Sequence, residues 1–165
     1  MILGVDAALR RTGLALLDGR GRVVHLETVL YRRGGIEDLV TRATRALMDL
    51  QREYCSDVMH AVTLAAVEVP PPHYAGRRTE RVLMMASSIW HTAVRVICPE
   101  ARVYLAHVNV WRSKVAASKA LSMARATIEC KRAGIDGPED DDQADALCIA
   151  LWARVQARIE RMVRR

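Results

Sequence analysis

The sequence predicts an α/β protein in which a mixed five-stranded sheet is flanked by helices. Two observations carry this prediction: short apolar segments separated by turn residues open the chain, and later apolar segments alternate with helical periodicity. The opening segments predict three antiparallel strands, and the later ones predict two parallel strands. With 165 residues and 51% hydrophobic composition, the chain can bury one substantial core, which predicts a single domain over residues 1–165.

The first predicted strand ends on a carboxylate, Asp6. Ile2–Val5 is a short apolar run that leads directly into Asp6. Gly13–Leu17 and Arg22–Leu30 have the apolar content of strands, and the Asp18-Gly19 pair between them is typical of a hairpin turn. We therefore expect Asp6 to end the first of three antiparallel strands.

A second carboxylate follows the next predicted strand. Apolar residues at spacings of three and four predict a helix over Ile36–Tyr54. Ala61–Val67 shows little alternation, as expected for a buried parallel strand, and it ends on Glu68. Pro70-Pro71-Pro72 cannot continue a sheet, so an extended loop is expected there.

A long helix, a short strand and further helices complete the prediction. The long helix, Gly76–Ile97, is apolar over a broad front, which fits either a helix buried on two sides within one subunit or a homodimer interface. The remaining segments are a strand over Arg102–Leu105, a helix in two pieces around Val115 over Asn109–Arg132, and a last helix over Glu139–Arg164.

Charge and cysteine usage narrow the function classes. Lys and Arg number 25 against 19 Asp and Glu, a formal charge of +6 that predicts a polyanionic partner, with nucleic acid ahead of membrane. The four cysteines are widely spaced, which favours reduced thiols in the cytoplasm over a zinc site or a disulfide framework. Asp6 is a charge too early for a signal peptide, and no apolar run predicts a membrane span.

An acidic run near the C-terminus supplies two more carboxylates. Asp142 and Asp145 are three residues apart and therefore share one face of the last helix. Acids at a helix start also serve as a cap, and this segment alone leaves both interpretations open. If the strands that end on Asp6 and Glu68 are neighbours, all these acids meet at the carboxyl edge of the sheet.

Carboxylates gathered in this way would repel each other unless cations bound between them. Oxygen ligands suit Mg²⁺ or Mn²⁺. Two such ions about 4 Å apart can activate a water and stabilise the leaving oxygen of a phosphodiester. A basic protein with such an acidic cluster is predicted to be a nuclease, and no organic cofactor is expected.

The same residues carry a resemblance to the RuvC-type Holliday-junction resolvases, within the RNase H-like (retroviral-integrase) superfamily. The matching features are Ile2-Leu3-Gly4-Val5-Asp6 with Arg10 and Thr12-Gly13 downstream, Glu68 closing an apolar strand, and Asp142-Gln143-Ala144-Asp145-Ala146-Leu147 opening a helix. The resemblance covers essentially the whole chain. It implies an RNase H-like fold and a homodimeric endonuclease of DNA recombination and repair, which resolves four-way junctions by paired symmetric nicks with 5′-phosphate ends.

The resemblance also implies roles for individual residues. By position, Asp6, Glu68, Asp142 and Asp145 would hold two metal ions, and Asp141 is the reserve ligand because the register of the last helix decides which acids face inward. Lys119 resembles a family lysine that approaches the scissile phosphate. The residues expected to contact DNA are Arg10, Arg11, His73, Tyr74, Arg77, Arg78, Arg112 and Lys114.

The chain departs from the family pattern in three places, one of which is a segment before Lys119 that is shorter than usual for the family. Ala7-Ala8 replaces the Pro-Gly that commonly follows the first aspartate. The loop after Asp6 is therefore expected to differ in shape from the family's. The chain contains no Phe, so the aromatic that the family often stacks on DNA would be His73 or Tyr74. These departures bear on sequence preference more than on catalysis.

Other function classes remain as alternatives. A Gly-x-Asp strand followed by Thr-Gly-Leu-Ala also opens actin-like ATPases, but those need a second such domain. An RNase H-like nuclease acting on an RNA–DNA hybrid, a transposon end or another branched DNA is the main alternative. The four acids disfavour a non-catalytic junction-binding module. A bacterial or phage-encoded protein acting on DNA in the cytoplasm is expected.

Overall fold

Five strands form one mixed sheet in the computed structural model, which describes residues 1–31, 35–55, 61–71 and 77–164. The strands are β1 (Ile2–Asp6), β2 (Arg11–Leu17), β3 (Val23–Leu30), β4 (Leu64–Val69) and β5 (Arg102–His107). Their order is β3-β2-β1-β4-β5; β2 is antiparallel to β1 and β3, and β4 is parallel to β1 and β5. The predicted sheet, with three antiparallel and then two parallel strands, is confirmed.

Five helices of the described residues cover both faces of this sheet. They are α1 (Ile36–Tyr54), α2 (Arg77–Ile97), α3 (Val108–Val115), α4 (Lys119–Ala133) and α5 (Asp141–Val163). The predicted break around Val115 is confirmed, because the Ser118 hydroxyl caps α4 by accepting a hydrogen bond from the Leu121 N–H. Gly134, at φ +74°, ends α4 in the left-handed conformation that favours glycine.

Alternation along the strands divides the core into two parts. Val5 of β1 and Val67 of β4 belong to the core beneath α1 and α2, whereas Ala66 belongs to the core beneath α5. Successive side chains of a strand point to opposite faces. Asp6 and Glu68 therefore lie on the α5 side of the sheet.

Several element boundaries differ from the sequence-based prediction. Strand β4 covers Leu64–Val69 instead of Ala61–Val67, so Glu68 lies inside the strand, because pairing with β5 continues as far as Val69. Pairing with β3 likewise begins β2 at Arg11. Helix α5 begins at Asp141, two residues after the predicted start, because Asp140 has extended backbone geometry and caps the helix.

At two glycines of the sheet, helix α5 lies so close that no side chain would fit between the strand and the helix backbone. Every residue from Gln143 to Ala153 is buried. A Cβ atom on Gly4 would lie 2.1 Å from the Ala146 carbonyl oxygen, and one on Gly13 would lie 1.9 Å from the Asp142 carbonyl oxygen. Glycine at these two strand positions therefore sets the depth at which α5 packs.

The four cysteines, Cys55, Cys98, Cys130 and Cys148, are free and buried. Burial raises the pKa of each thiol, to about 11 at Cys98 and at Cys148. No helix within the described ranges combines the length and apolarity needed to cross a bilayer.

Replacing Gly4 with alanine is expected to lower the free energy of unfolding by roughly 1–3 kcal/mol, because the new Cβ would overlap the α5 backbone. Urea denaturation followed by circular dichroism measures the change. Gly19→Ala is the matched control, since its Cβ would meet nothing within 4 Å, and it should change stability by less than about 1 kcal/mol. Equal stability of the two variants would contradict the close packing of α5.

Candidate active site

Asp6 and Glu68 lie at the carboxyl ends of two neighbouring parallel strands. Strand β1 pairs with β4 in a register that places Val5 beside Val67, and the two acids are the next residues on their strands. Both lie on the face that α5 covers. The sequence left open whether the first and fourth strands are neighbours, and the sheet order shows that they are.

Contacts from β2 and β3 hold the start of α5 over these acids. The Asp140 carboxylate accepts hydrogen bonds from the Gln143 N–H at 2.9 Å and the Thr28 hydroxyl at 2.8 Å, and it pairs with Arg11. Burial pushes the pKa of Asp140 upward, but these hydrogen bonds and the Arg11 charge outweigh it and hold the pKa below its ordinary value. Asp140 is the cap of the acidic run, which leaves the later acids available for another role.

Asp142 and Asp145 join the two strand acids in one electrostatic group. The Asp142 backbone packs against Gly13, the residue that pairs with Asp6 across β1 and β2. Asp145 lies about one turn further along α5 and is almost fully buried. Besides burial, the charges of Glu68, Asp145 and Asp142 raise the pKa of Asp6 well above its ordinary value. We call Asp6, Glu68, Asp142 and Asp145 the acidic cluster.

The pKa of Glu68 shows the same effect. Burial contributes most to raising it to about 7, and the charge of Asp145 contributes next. The charges of Arg112 and Lys119 and a hydrogen bond from Trp111 act in the opposite direction and only partly compensate. The acidic cluster therefore concentrates more negative charge than its protein surroundings neutralise.

Helix α3 contacts two members of the acidic cluster with consecutive residues. The fully buried Trp111 donates its indole N–H to Glu68 Oε2 at 3.1 Å. The Arg112 guanidinium pairs with Asp145, with 2.5 Å between Nη2 and Oδ2, and lies 4.5 Å from the centroid of the Trp111 ring. Arg112, which the sequence predicts to contact DNA, thus reaches into the cluster.

Two further basic residues reach the start of α5 from the solvent side. Arg11, another predicted DNA contact, has its Nε 2.7 Å from Asp142 Oδ2. Lys119 Nζ lies 3.2 Å from Asp141 Oδ2. Burial lowers the pKa of Lys119, but the hydrogen bond and charge of Asp141 outweigh it and raise the pKa above its ordinary value, so Lys119 is a cation at neutral pH. Asp141 is engaged by Lys119 outside the acidic cluster.

The donor chemistry of the acidic cluster fits a hard divalent cation. Every candidate ligand is a carboxylate oxygen, as Mg²⁺ and Mn²⁺ prefer. Asp145 Oδ1 is buried and has no hydrogen-bond partner among the described residues. No three acidic, His or Cys side chains of the described ranges are arranged at ligand spacing, and Glu68, Asp142 and Asp145 each have one oxygen bound to a protein donor. The carboxylate oxygens are therefore of the right chemical type for a divalent cation. Their side chains are not yet at the spacing of metal ligands, because protein donors hold some of the oxygens.

The other predicted DNA contacts are on the surface or beyond the described residues. Arg10 is exposed just before β2, Arg78 is exposed in the first turn of α2, and Lys114 is exposed near the end of α3. Arg77 is the first residue of α2. Two predicted residues, His73 and Tyr74, lie outside the described residues.

A basic groove runs between α3 and α4 and reaches the acidic cluster through Arg112. It has a volume of about 520 Å³. Its basic lining residues are Arg112, Lys114, Arg125 and Arg132, against one acid, Glu129, which pairs with Arg132. The apolar Leu121 and Ile128 also line it. We call this surface the α3–α4 groove. Its charge and open shape suit the phosphate backbone of a nucleic acid.

Sequence reasoning missed the contact that Trp111 makes and the packing role of Gly4 and Gly13. A buried Trp usually finds an acceptor for its N–H, but no spacing in the sequence connects Trp111 with Glu68. For the glycines a signal existed, because glycine inside an apolar strand often marks the close approach of another backbone.

Solved structures of junction resolvases share this architecture. Thermus thermophilus RuvC in complex with a Holliday junction substrate matches with a TM-score of 0.74 and 19% identity, over 96% of this chain and 94% of that one. The chain has the RuvC fold. A second Thermus thermophilus RuvC structure matches with a TM-score of 0.71 and 19% identity, over 96% of both chains. The yeast mitochondrial Holliday junction resolvase Ydc2 matches with a TM-score of 0.53 and 14% identity, over 97% of this chain and 80% of that one.

The likeness is one of structure. No protein-family model matches the sequence, and no curated protein matches it. The match to the RuvC fold confirms the RNase H-like architecture that the motifs predict. The match spans nearly the whole chain, so it concerns the complete arrangement of sheet and helices.

Replacing Glu68 with glutamine is expected to stabilise the protein at pH 8 in a chelating buffer. The fold favours the neutral form of Glu68, so its contribution is fully present below the ordinary pKa of 4.5 and is lost as the pH rises through about 7. The gain should be roughly 1–3 kcal/mol at pH 8 and should shrink toward pH 5. Urea denaturation at both pH values measures it.

Glu100→Gln, which changes an exposed carboxylate before β5, is the control and should leave the free energy of unfolding within about 0.5 kcal/mol of the wild-type value. A Glu68→Gln effect of the same size at pH 5 and pH 8 would contradict the raised pKa.

Proposed function

We propose that residues 1–165 form one nuclease domain that resolves four-way DNA junctions. The observation that carries this proposal is the convergence of Asp6, Glu68, Asp142 and Asp145 at one sheet edge in a chain with the RuvC fold. Thermus thermophilus RuvC, in one matched structure, is in complex with a Holliday junction substrate. The proposed reaction is the hydrolysis of one phosphodiester in each of two symmetry-related strands, leaving 5′-phosphate ends.

In this proposal the acidic cluster holds two Mg²⁺ or Mn²⁺ ions. Such ions, when bound, activate water and stabilise charge at the scissile phosphate. The protein supplies four carboxylates whose mutual repulsion favours cation binding, and it supplies the unpaired Oδ1 of Asp145. Asp141 stays the reserve ligand, because its carboxylate is at the helix start but is bound by Lys119.

Other residues orient the acids and approach the DNA. Trp111 holds one oxygen of Glu68 and thereby limits the rotation of that carboxylate. Lys119 supplies an exposed positive charge beside the cluster, and this charge partly opposes the burial and the neighbouring acids that raise the pKa of Asp6 and Glu68. We propose that Lys119 contacts the phosphate that is cleaved, as a point charge without strict geometry.

The DNA backbone is proposed to follow the basic surfaces around this edge. The α3–α4 groove supplies Arg112 and Lys114 on one side. Arg10 and Arg11 lie at the start of β2, and Arg77 and Arg78 begin α2 after the loop that leaves β4. The predicted aromatic contacts, His73 and Tyr74, lie outside the described residues and are proposed to stack on a base. A formal charge of +6 supports binding to a polyanion.

Paired nicks in a two-fold symmetric junction require two active sites, so we propose a homodimer. Helices α1 and α2 present an exposed apolar groove of about 440 Å³. Its lining residues are Ile36, Val40, Thr44, Met85, Ser88, Ile89, Thr92, Ala93 and Val96. The opposite side of α2 is buried, with Trp90 and Val94 fully covered. We propose that a second copy of the chain covers this α1–α2 groove.

The main alternative is an RNase H-like nuclease that acts on another branched DNA or on an RNA–DNA hybrid. The same acidic cluster would serve that reaction. The proposed setting is bacterial or phage DNA in the cytoplasm, in recombination and repair. A comparison of substrates separates the alternatives.

Purified protein with Mg²⁺ or Mn²⁺ is expected to nick a synthetic four-way junction in two symmetry-related strands, with little cutting of linear duplex or RNA–DNA hybrid. Asp6→Asn should reduce cleavage to background, because it removes one negative charge from the cluster at nearly constant shape. Its junction binding should stay within about threefold of wild type, since phosphate contacts dominate affinity. Denaturing gels and gel-shift titrations measure cleavage and binding.

Asp136→Asn is the matched control, because Asp136 is exposed between α4 and α5. Equal cutting of junction, duplex and hybrid would remove the junction specificity but keep the nuclease. Absence of cutting on every substrate with both metals would overturn the proposed activity.

Val96→Glu is expected to shift the protein from dimer to monomer, because it places a charge in the α1–α2 groove, where Val96 is 67% exposed. Light scattering at micromolar concentration measures the mass. Val155→Glu, at a valine of α5 that is 50% exposed, is the control and should leave the dimer intact. A wild-type monomer would count against paired nicking.

A further inference from the structure

Arg112 holds Asp145 by a single contact. The Arg112 and Asp145 side chains are only 22% and 4% exposed, so the pair is shielded from water. The contact joins Nη2 to Oδ2 at 2.5 Å. A guanidinium commonly binds a carboxylate through two parallel hydrogen bonds that use both oxygens. Here the second oxygen, Oδ1, is buried without a hydrogen-bond partner among the described residues.

The single contact leaves the Arg112–Asp145 pair only half satisfied. A buried carboxylate oxygen without a donor costs free energy, since it has lost its water. A divalent cation would satisfy that oxygen and would carry twice the charge of Arg112. Asp145 therefore has both the capacity and the electrostatic reason to exchange Arg112 for a metal ion.

Arg112 also has support that does not depend on Asp145. Its guanidinium carbon lies 4.5 Å from the centroid of the Trp111 ring, within the range of a cation–π contact. Trp111 is fully buried and bound to Glu68, so this ring is a fixed surface. Arg112 in addition lines the α3–α4 groove, where it could bind an external anion.

We propose that Arg112 and the metal ion compete for Asp145, so that metal binding releases Arg112 toward the α3–α4 groove and a DNA phosphate. This inference rests on the proposed function, because it concerns the metal site of that reaction. Arg112 is then a positioning residue with two partners, a carboxylate and a phosphate. Metal occupancy and DNA binding are coupled through one side chain, and the coupling acts in both directions.

Calorimetric titration of the 165-residue chain with MnCl₂ at pH 8 tests the competition without any need for cleavage. Arg112→Gln removes the competing charge and should bind Mn²⁺ more tightly than wild type, by roughly tenfold or more, the scale on which groups around metal ligands act. Arg112→Lys keeps a cation beside Asp145 and should restore affinity to near the wild-type value. The rise in Tm on adding MnCl₂ should also be larger for Arg112→Gln than for wild type.

Arg125→Gln is the matched control. Arg125 lines the same groove, but its Nη1 donates to the Val115 carbonyl oxygen at 3.2 Å, and no carboxylate of the described residues forms an ion pair with it. This variant should bind Mn²⁺ like wild type. Arg112→Gln affinity equal to or weaker than wild type would overturn the competition, since a purely structural role predicts that result. A gain of the same size in Arg125→Gln would overturn it too, because the effect would then be one of general charge.

The wild-type protein offers a second measurement if Arg112→Gln does not fold. Nitrogen NMR of the arginine side chains should show the Arg112 guanidinium, assigned with Arg112→Lys, changing from restricted to free rotation as MgCl₂ is added. An unchanged Arg112 signal at saturating Mg²⁺ would overturn the release. Failure of the wild-type protein to bind either metal would overturn the metal-dependent function itself. Failure of the Arg112 inference and failure of the proposed function therefore give different results.

Discussion

The close contact of helix α5 with strands β1 and β2 is the constraint on which the other features of the site depend. Gly4 and Gly13 leave no Cβ between the sheet and the α5 backbone. Because Gly13 pairs with Asp6, the same absence of a side chain lets the Asp142 backbone reach the end of β1. The sheet supplies two acids and the helix supplies two, and the glycines set the distance between them. A larger residue would move half of the acidic cluster relative to the other half.

The position of α5 also decides which basic residues lie beside its acids. Each acid at the start of α5 contacts a basic or polar group from another element. These pairs differ in how far their side chains are exposed to water. Arg11 and Lys119 are exposed to water, where ion pairs contribute little to stability. Arg112 is shielded, and removing either partner of a shielded pair leaves a costly buried charge. The strongest protein interaction with the cluster therefore comes from α3, while the solvent-side residues can exchange partners at little cost.

Periodicity explains how much of the site the sequence could predict. Strand alternation and parallel pairing suffice to bring Asp6 and Glu68 together, and helical spacing suffices to put Asp142 and Asp145 on one face. The hydrogen bond from Trp111 to Glu68 joins residues far apart in the chain, and no local pattern encodes it. The sequence-based prediction begins α5 two residues too early for a related reason, because Asp140 is held by Thr28 and Arg11 from distant strands. Local preference predicts elements, whereas contacts between elements decide which side chains pair.

The burial of all four thiols has a practical consequence for spectroscopy. A raised pKa keeps the proton on sulfur at neutral pH, and the thiol is a far weaker nucleophile than the thiolate. The wild-type chain should therefore react slowly with maleimide probes while it is folded. A cysteine placed at Lys114, in the α3–α4 groove, would be the fast-reacting thiol, so a dye or spin label could be attached there without first removing Cys148 from the core.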